Sequence, residues 1–148
     1  MTVEHLLSAC AGLGLWNATF ELVGPEIPVG DGSAKHFLGP LQEAPHEAPE
    51  PQEWTIRSMI RVQDPRDADS WIEARPRSEP GCRYRYELAY GAPFDAVIPN
   101  QSAAIHLRGR ETADEYAREI APARTFCLAQ EAEAMRSMGL FEGFSPRD

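Results

Sequence analysis

The sequence predicts an α+β protein, and three observations carry that expectation. A helical stripe of apolar residues opens the chain, with Val3, Leu6, Leu7, Cys10 and Leu13 at helical spacing. Alternating segments crowd its middle. Two further helical patterns follow near its end, so helices and strands are grouped rather than interleaved as βαβ units.

Each element has its own warrant. The first helix is expected from about Thr2 to Gly12, with Thr2 as its cap and Gly12 and Gly14 ending it. NATFELV then alternates as a half-buried strand. GPEIPVGDGS is turn chemistry, and Asp31 or Ser33 can cap a second helix from Ala34 to Glu43, which Pro40 should kink or shorten. EAPHEAPEPQE, with Pro45, Pro49 and Pro51, reads as a linker. WTIRSMIRV, SWIEARP, CRYRYELAY and QSAAIHL follow as strands, the third with one wet face. ETADEYAREIAPA is a helix that Thr112 and Glu115 can cap as a box. ARTFCL reads as a buried strand, and AQEAEAMRSMGL as a last helix ending at Gly139. The expected division is 1–44, a linker over 45–52, and 53–148.

Composition narrows the function classes. The chain has 148 residues, 43% apolar and 25% charged, which suits a globular protein with a sizeable core. Its net charge of −9 and pI near 4.9 argue against a general nucleic-acid or anionic-membrane surface. A local basic pocket stays open, from Arg57, Arg61, Arg83, Arg85, Arg108, Arg110 and Arg124. Cys10, Cys82 and Cys127 are an odd number without paired spacing, which points to a reducing compartment. No apolar run is long enough to span a bilayer. LSAC at residues 7–10 imitates a lipoprotein box, yet no basic region or apolar stretch precedes it, so a cytoplasmic location is expected.

By spacing alone the chemistry is modest. Glu4 and His5 stand side by side in the first turn of the first helix. Such a pair can hold a metal while the carboxylate takes a proton, since neighbours on a helix point about 100° apart into one pocket. It can equally be a polar first turn, with Glu4 favoured by the helix dipole. HEAPE at His46 ends in Glu and contains Pro49, so it lacks the unbroken turn that two ligands need. His36 and His106 read as ordinary imidazoles, Cys10 and Cys127 as core fillers, and Thr125 as a strand residue.

Longer blocks in register carry more. TVEHLLSACAGLGLWNATFELVGPEIPVGDGSAKHF, NQSAAIHL and REIAPARTFCLAQEAEAMRSMGL, in this order, resemble the UDP-3-O-acyl-N-acetylglucosamine deacetylases, zinc amidases of lipid A synthesis in Gram-negative bacteria. The resemblance implies two-layer βααβ-type sandwich domains, incomplete here at both ends. It implies zinc as cofactor and UDP-3-O-acyl-N-acetylglucosamine as substrate. On the matching motifs it makes His5 a zinc ligand, Glu4 the general base and Thr125 the donor to the developing oxyanion. It places Phe126, Ala132 and Phe141 beside the sugar and the acyl passage. The family's His-Lys-x-x-Asp helix, with the remaining ligands, and its later acid histidine have no counterpart here. The chain is therefore expected to be part of such an enzyme, inactive when isolated, with the missing part as a partner. The alternative is an inactive relative that binds a nucleotide sugar or a protein. Missing core would leave Leu6, Leu7 and Phe20 exposed.

Overall fold

The computed structural model describes residues 3–24, 26–45, 54–125 and 128–138. It is α+β with antiparallel sheets, as expected. Helices α1 (Glu4–Leu13) and α2 (Lys35–Glu43) come first, then β1 (Ile60–Asp64), β2 (Asp67–Ala74) and β3 (Cys82–Leu88). A short 3₁₀ turn at Phe94–Ala96 leads to β4 (Gln101–Leu107), α3 (Ala113–Glu119) and α4 (Ala129–Ser137).

One core gathers α1, α2, α3 and the end of β4. Leu6, Ala9, Cys10 and Leu13 of α1 pack with Leu38 and Leu41 of α2, Ile105 of β4, and Tyr116 and Ala121 from α3 and the turn after it. Burial raises the Cys10 thiol above its usual range, which suits a core filler. Leu6 is only 7% exposed, against the expectation, because α2 supplies cover; Leu7 and Phe20 are exposed as expected. α1 ends where Gly14 turns left-handed at φ 70°, its N–H reaching Ala11 O while that of Leu15 reaches Cys10 O. Gly12 lies inside the helix rather than ending it, and the Tyr116 ring occupies the place where a side chain would be.

The sheets are two antiparallel hairpins, β1–β2 and β3–β4. In the first, Val62 faces Ile72 and Ile60 faces Ala74, and Ile60, Val62 and Ile72 are exposed. Arg61 lies over the Trp71 ring at 4.1 Å on the opposite face. In the second, Ile105 and Leu107 at the far end of β4 reach the core, while Tyr84 and Tyr86 on β3 are exposed.

Several expectations are corrected. Residues 17–23 form no strand, since among the described residues no strand lies alongside to bond them, and Phe20, Leu22 and Val23 are exposed. β1 starts at Ile60 rather than Trp54. Pro40 sits inside α2, which still runs to Glu43; burial of Leu38 and Leu41 outweighs one lost helical bond. Thr112 makes no capping box. Its hydroxyl accepts from Arg108 N at 2.9 Å and donates to Gly109 O at 3.2 Å, bracing the turn into α3 instead. The described part of ARTFCL is no buried strand: Arg124 forms a single bridge to Ser33, and both Arg124 and Thr125 are exposed. The proline-rich linker from residue 46 on, Phe126, Cys127, Gly139 and Phe141 lie outside the described residues.

Candidate functional site

Two segments far apart in sequence meet at the start of α1. His5 lies in its first turn, and Thr125 follows the turn that ends α3. His5 Nε2 and Thr125 Oγ1 are 2.9 Å apart, a hydrogen bond across 120 residues whose donor depends on the tautomer. The other ring nitrogen, Nδ1, is buried and has no hydrogen-bond partner among the described residues.

Thr125 is held there by the core. Tyr116 is 2% exposed, and its hydroxyl meets Ser8 Oγ of α1 at 2.7 Å, which ties α3 to α1. Burial pushes the Tyr116 phenol above its usual range, so it stays neutral in that bond. The loop before α2 clamps the outgoing chain. Ala34 N donates to Ala121 O at 3.0 Å, and Thr125 N donates to Gly32 O at 3.0 Å.

Glu4 is exposed, and its Oε2 accepts from Val3 N at 3.0 Å, so its carboxylate folds back over the helix start. It shares a turn with His5, but the cleft beside His5 is not lined by it.

That cleft is about 570 Å³. His5, Arg124 and Thr125 line it together with Tyr86, Tyr90 and Phe94. Tyr90 and Phe94 meet edge to face with ring centroids 6.2 Å apart. The cleft thus joins a polar part, with a hydroxyl, an imidazole and a guanidinium, to an aromatic wall.

Of the residues read from sequence, the structure brings His5 and Thr125 together and leaves Glu4 beside them on the same helix turn. Ala132 lies on α4, whose Glu131 also lines the cleft. The aromatic wall is only partly marked in the sequence: Tyr86 and Tyr90 stand in the alternating CRYRYELAY segment with its wet face, whereas Phe94 lies in a stretch with no periodicity. Arg124 is one of several arginines that spacing does not single out. His106 bonds Pro80 O at 2.9 Å and His36 lies 3.6 Å from Asp31, and neither lines the cleft.

A catalytic zinc needs about three protein ligands. Among the described residues no three His, Cys, Asp or Glu side chains gather for a metal. Among the described residues His5 offers one imidazole with an unpartnered nitrogen, and by themselves they do not make a zinc site. No helix among them is long and apolar enough to cross a membrane.

Comparison with known proteins agrees with the order of the motifs. The family described as UDP-3-O-acyl N-acetylglycosamine deacetylase matches residues 1–148. The UDP-3-O-acyl-N-acetylglucosamine deacetylase of Acidithiobacillus ferrooxidans is 36% identical over 96% of this chain and 44% of its own length. Those of Thermosynechococcus vestitus and of an Anaeromyxobacter species are each 36% identical over 97% of this chain, and over 46% and 44% of their own lengths. The chain spans less than half the length of these relatives. With its full length matched, the chain belongs to the UDP-3-O-acyl N-acetylglycosamine deacetylase family.

Proposed function

We propose that this chain supplies part of a zinc-dependent deacetylase that hydrolyses the acetamide of UDP-3-O-acyl-N-acetylglucosamine in lipid A synthesis. The observation that carries the reading is the pairing of His5 with Thr125 across 120 residues at the edge of a cleft. In this reading Glu4 is the general base that takes a proton from the attacking water. The Thr125 hydroxyl donates to the oxygen on which negative charge develops. His5 is one zinc ligand of the complete enzyme, and zinc there supplies Lewis-acid polarisation. Phe126, Ala132 and Phe141 lie along the sugar and acyl path, which the aromatic wall of Tyr86, Tyr90 and Phe94 extends. Residues 1–44 end one domain of the family fold, 45–52 link, and 53–148 begin a second. The enzyme works in the cytoplasm.

The lone imidazole favours completion by other residues of the family fold, the natural partner of this chain. The uncovered apolar face of β1–β2 fits such a partner. The same lone imidazole supports the alternative, a non-catalytic module that binds a nucleotide sugar or a protein.

Acetate release from UDP-3-O-acyl-N-acetylglucosamine tests both. The assay uses this chain alone and co-expressed with the unmatched part of the Acidithiobacillus ferrooxidans relative. We expect turnover only from the pair, falling by about 10²–10⁴-fold with Glu4→Ala. Turnover by the chain alone, abolished by Glu4→Ala, would overturn the partial-enzyme reading. An inactive pair in which the chain still binds the nucleotide sugar without zinc would favour the module.

A further inference from the structure

Residues 122–125 form no helix or strand and carry a local turn bond from Ala123 N to Ile120 O at 2.9 Å. These residues are exposed, whereas Ala121 before them is buried in the core, and among the described residues they are tied to the loop at residues 31–34 and, through Thr125, to His5. Two backbone hydrogen bonds join Ala121 and Thr125 to this loop, Ala34 N to Ala121 O and Thr125 N to Gly32 O, the second belonging to the isolated bridge between Ser33 and Arg124.

The loop in turn is shaped by one carboxylate. Asp31 Oδ1 accepts from Ser33 N at 3.0 Å and from Ser33 Oγ at 2.6 Å, and Ser33 Oγ accepts from Lys35 N at 3.2 Å. Gly32 between them sits at φ 80°, a left-handed turn that a side chain would strain. Ser33 is fully buried, so its hydroxyl and N–H depend on Asp31 for an acceptor and leaving them unpaired is costly. Asp31 also approaches Arg124, with Oδ2 3.9 Å from Nη2. That pair is long and exposed on both sides and contributes little. The bonds to buried Ser33 therefore decide.

We propose that Asp31 is a positioning residue for Thr125: by anchoring Ser33 it sets the loop whose backbone holds the Thr125 hydroxyl against His5. Its functional meaning rests on the reading of Thr125 as the oxyanion donor. Its structural content does not, and the test needs neither zinc nor turnover, so the two can fail separately.

The test follows the isolated 148-residue chain by NMR, with the contact between the His5 ring and the Thr125 methyl group and the exchange rates of backbone amides. In Asp31→Ala we expect the His5–Thr125 contact to vanish. The amides of Ala34 and Thr125 should exchange roughly tenfold faster or more, while those of Cys10 and Leu13 in α1 stay within about twofold of wild type. Asp31→Asn keeps an acceptor oxygen and should restore both the contact and most of the protection. An unchanged contact in Asp31→Ala overturns the proposal. So does an Asp31→Asn variant as damaged as Asp31→Ala, because charge rather than the hydrogen bond would then be responsible. Equal loss of protection throughout α1 overturns it too, since Asp31 would then support the whole fold rather than this segment.

Discussion

Gly12→Ala is a substitution whose sign depends on one contact. In a helix interior with room for a methyl group, Ala is more favourable than Gly by about 0.8–1.0 kcal/mol. Gly12 sits inside α1, yet a Cβ there would stand 2.2 Å from Cδ1, 2.3 Å from Cγ and 2.4 Å from Cε1 of Tyr116. Ordinary contact begins near 3.4 Å, so the ring has to retreat by more than an ångström. It has little freedom to do so. Tyr116 is 2% exposed and its hydroxyl is bonded to Ser8. Forced overpacking of this kind costs about 1–3 kcal/mol, and loss of the Ser8 bond adds about 1 kcal/mol. Set against the propensity gain, the net expectation is a destabilisation of about 1–3 kcal/mol. At this chain length that lowers Tm by about 2–4 °C per kcal/mol. Urea and thermal denaturation followed by circular dichroism measure it. In a Tyr116→Ala background the clash is gone and the same substitution should turn stabilising, which a double-mutant cycle reads as a coupling energy. A Gly12→Ala chain as stable as wild type or more so would refute the packing of α3 on α1, and with it the account of how Thr125 reaches His5.

The remaining expectations concern other parts of the molecule. Tyr116→Phe removes only the hydroxyl and should cost about 1 kcal/mol, measured in the same denaturation assay, with Ser8 Oγ left unpaired. Asp31 is held below its ordinary 3.8, chiefly by the Ser33 hydroxyl, with smaller help from Ser33 N–H, Arg124 and His36 against partial desolvation. A depressed carboxyl stabilises the fold above its unfolded pKa and loses that contribution as pH falls through the folded value. The stability gap between wild type and Asp31→Ala should therefore be full at about pH 6 and shrink below about pH 4; a gap constant across that range counts against the hydrogen bonds assigned to Asp31. Val62→Lys with Ile72→Glu places charges on the uncovered hairpin face and should reduce self-association of the isolated chain in analytical ultracentrifugation, with α1 unaffected. A monomeric wild-type chain, or association unchanged in the variant, would show that this face does not drive self-association.

What the sequence determined by itself was local. The stripe from Leu6 to Leu13, the left-handed turn at Gly14 and the alternation in CRYRYELAY each depend on residues within a few positions of one another, and the elements they predict are present. The long blocks in register also identified the family, because an ordered set of motifs carries information that no single spacing does. Glu4 and His5 are legible for the same reason, as neighbours in one helix turn.

Where prediction missed, the cause was a partner elsewhere in the chain. NATFELV has strand-like alternation, but a strand exists only where another backbone answers its N–H and C=O groups, and alternation says nothing about that. Pro40 reads as a helix breaker until the burial of Leu38 and Leu41 is weighed against it. Thr112 looks like a helix cap in sequence and braces a turn in the structure. The site itself belongs to the tertiary level. His5 and Thr125 are 120 residues apart, and they meet because Tyr116 docks on Gly12 and Ser8 while the Asp31–Ser33 loop clamps the chain leaving α3. The aromatic wall of Tyr86, Tyr90 and Phe94 likewise gathers residues from a strand, a loop and a 3₁₀ turn that share no period. Sequence patterns record which way a residue faces relative to its neighbours; long-range packing decides what stands opposite, and this cleft is made of what stands opposite.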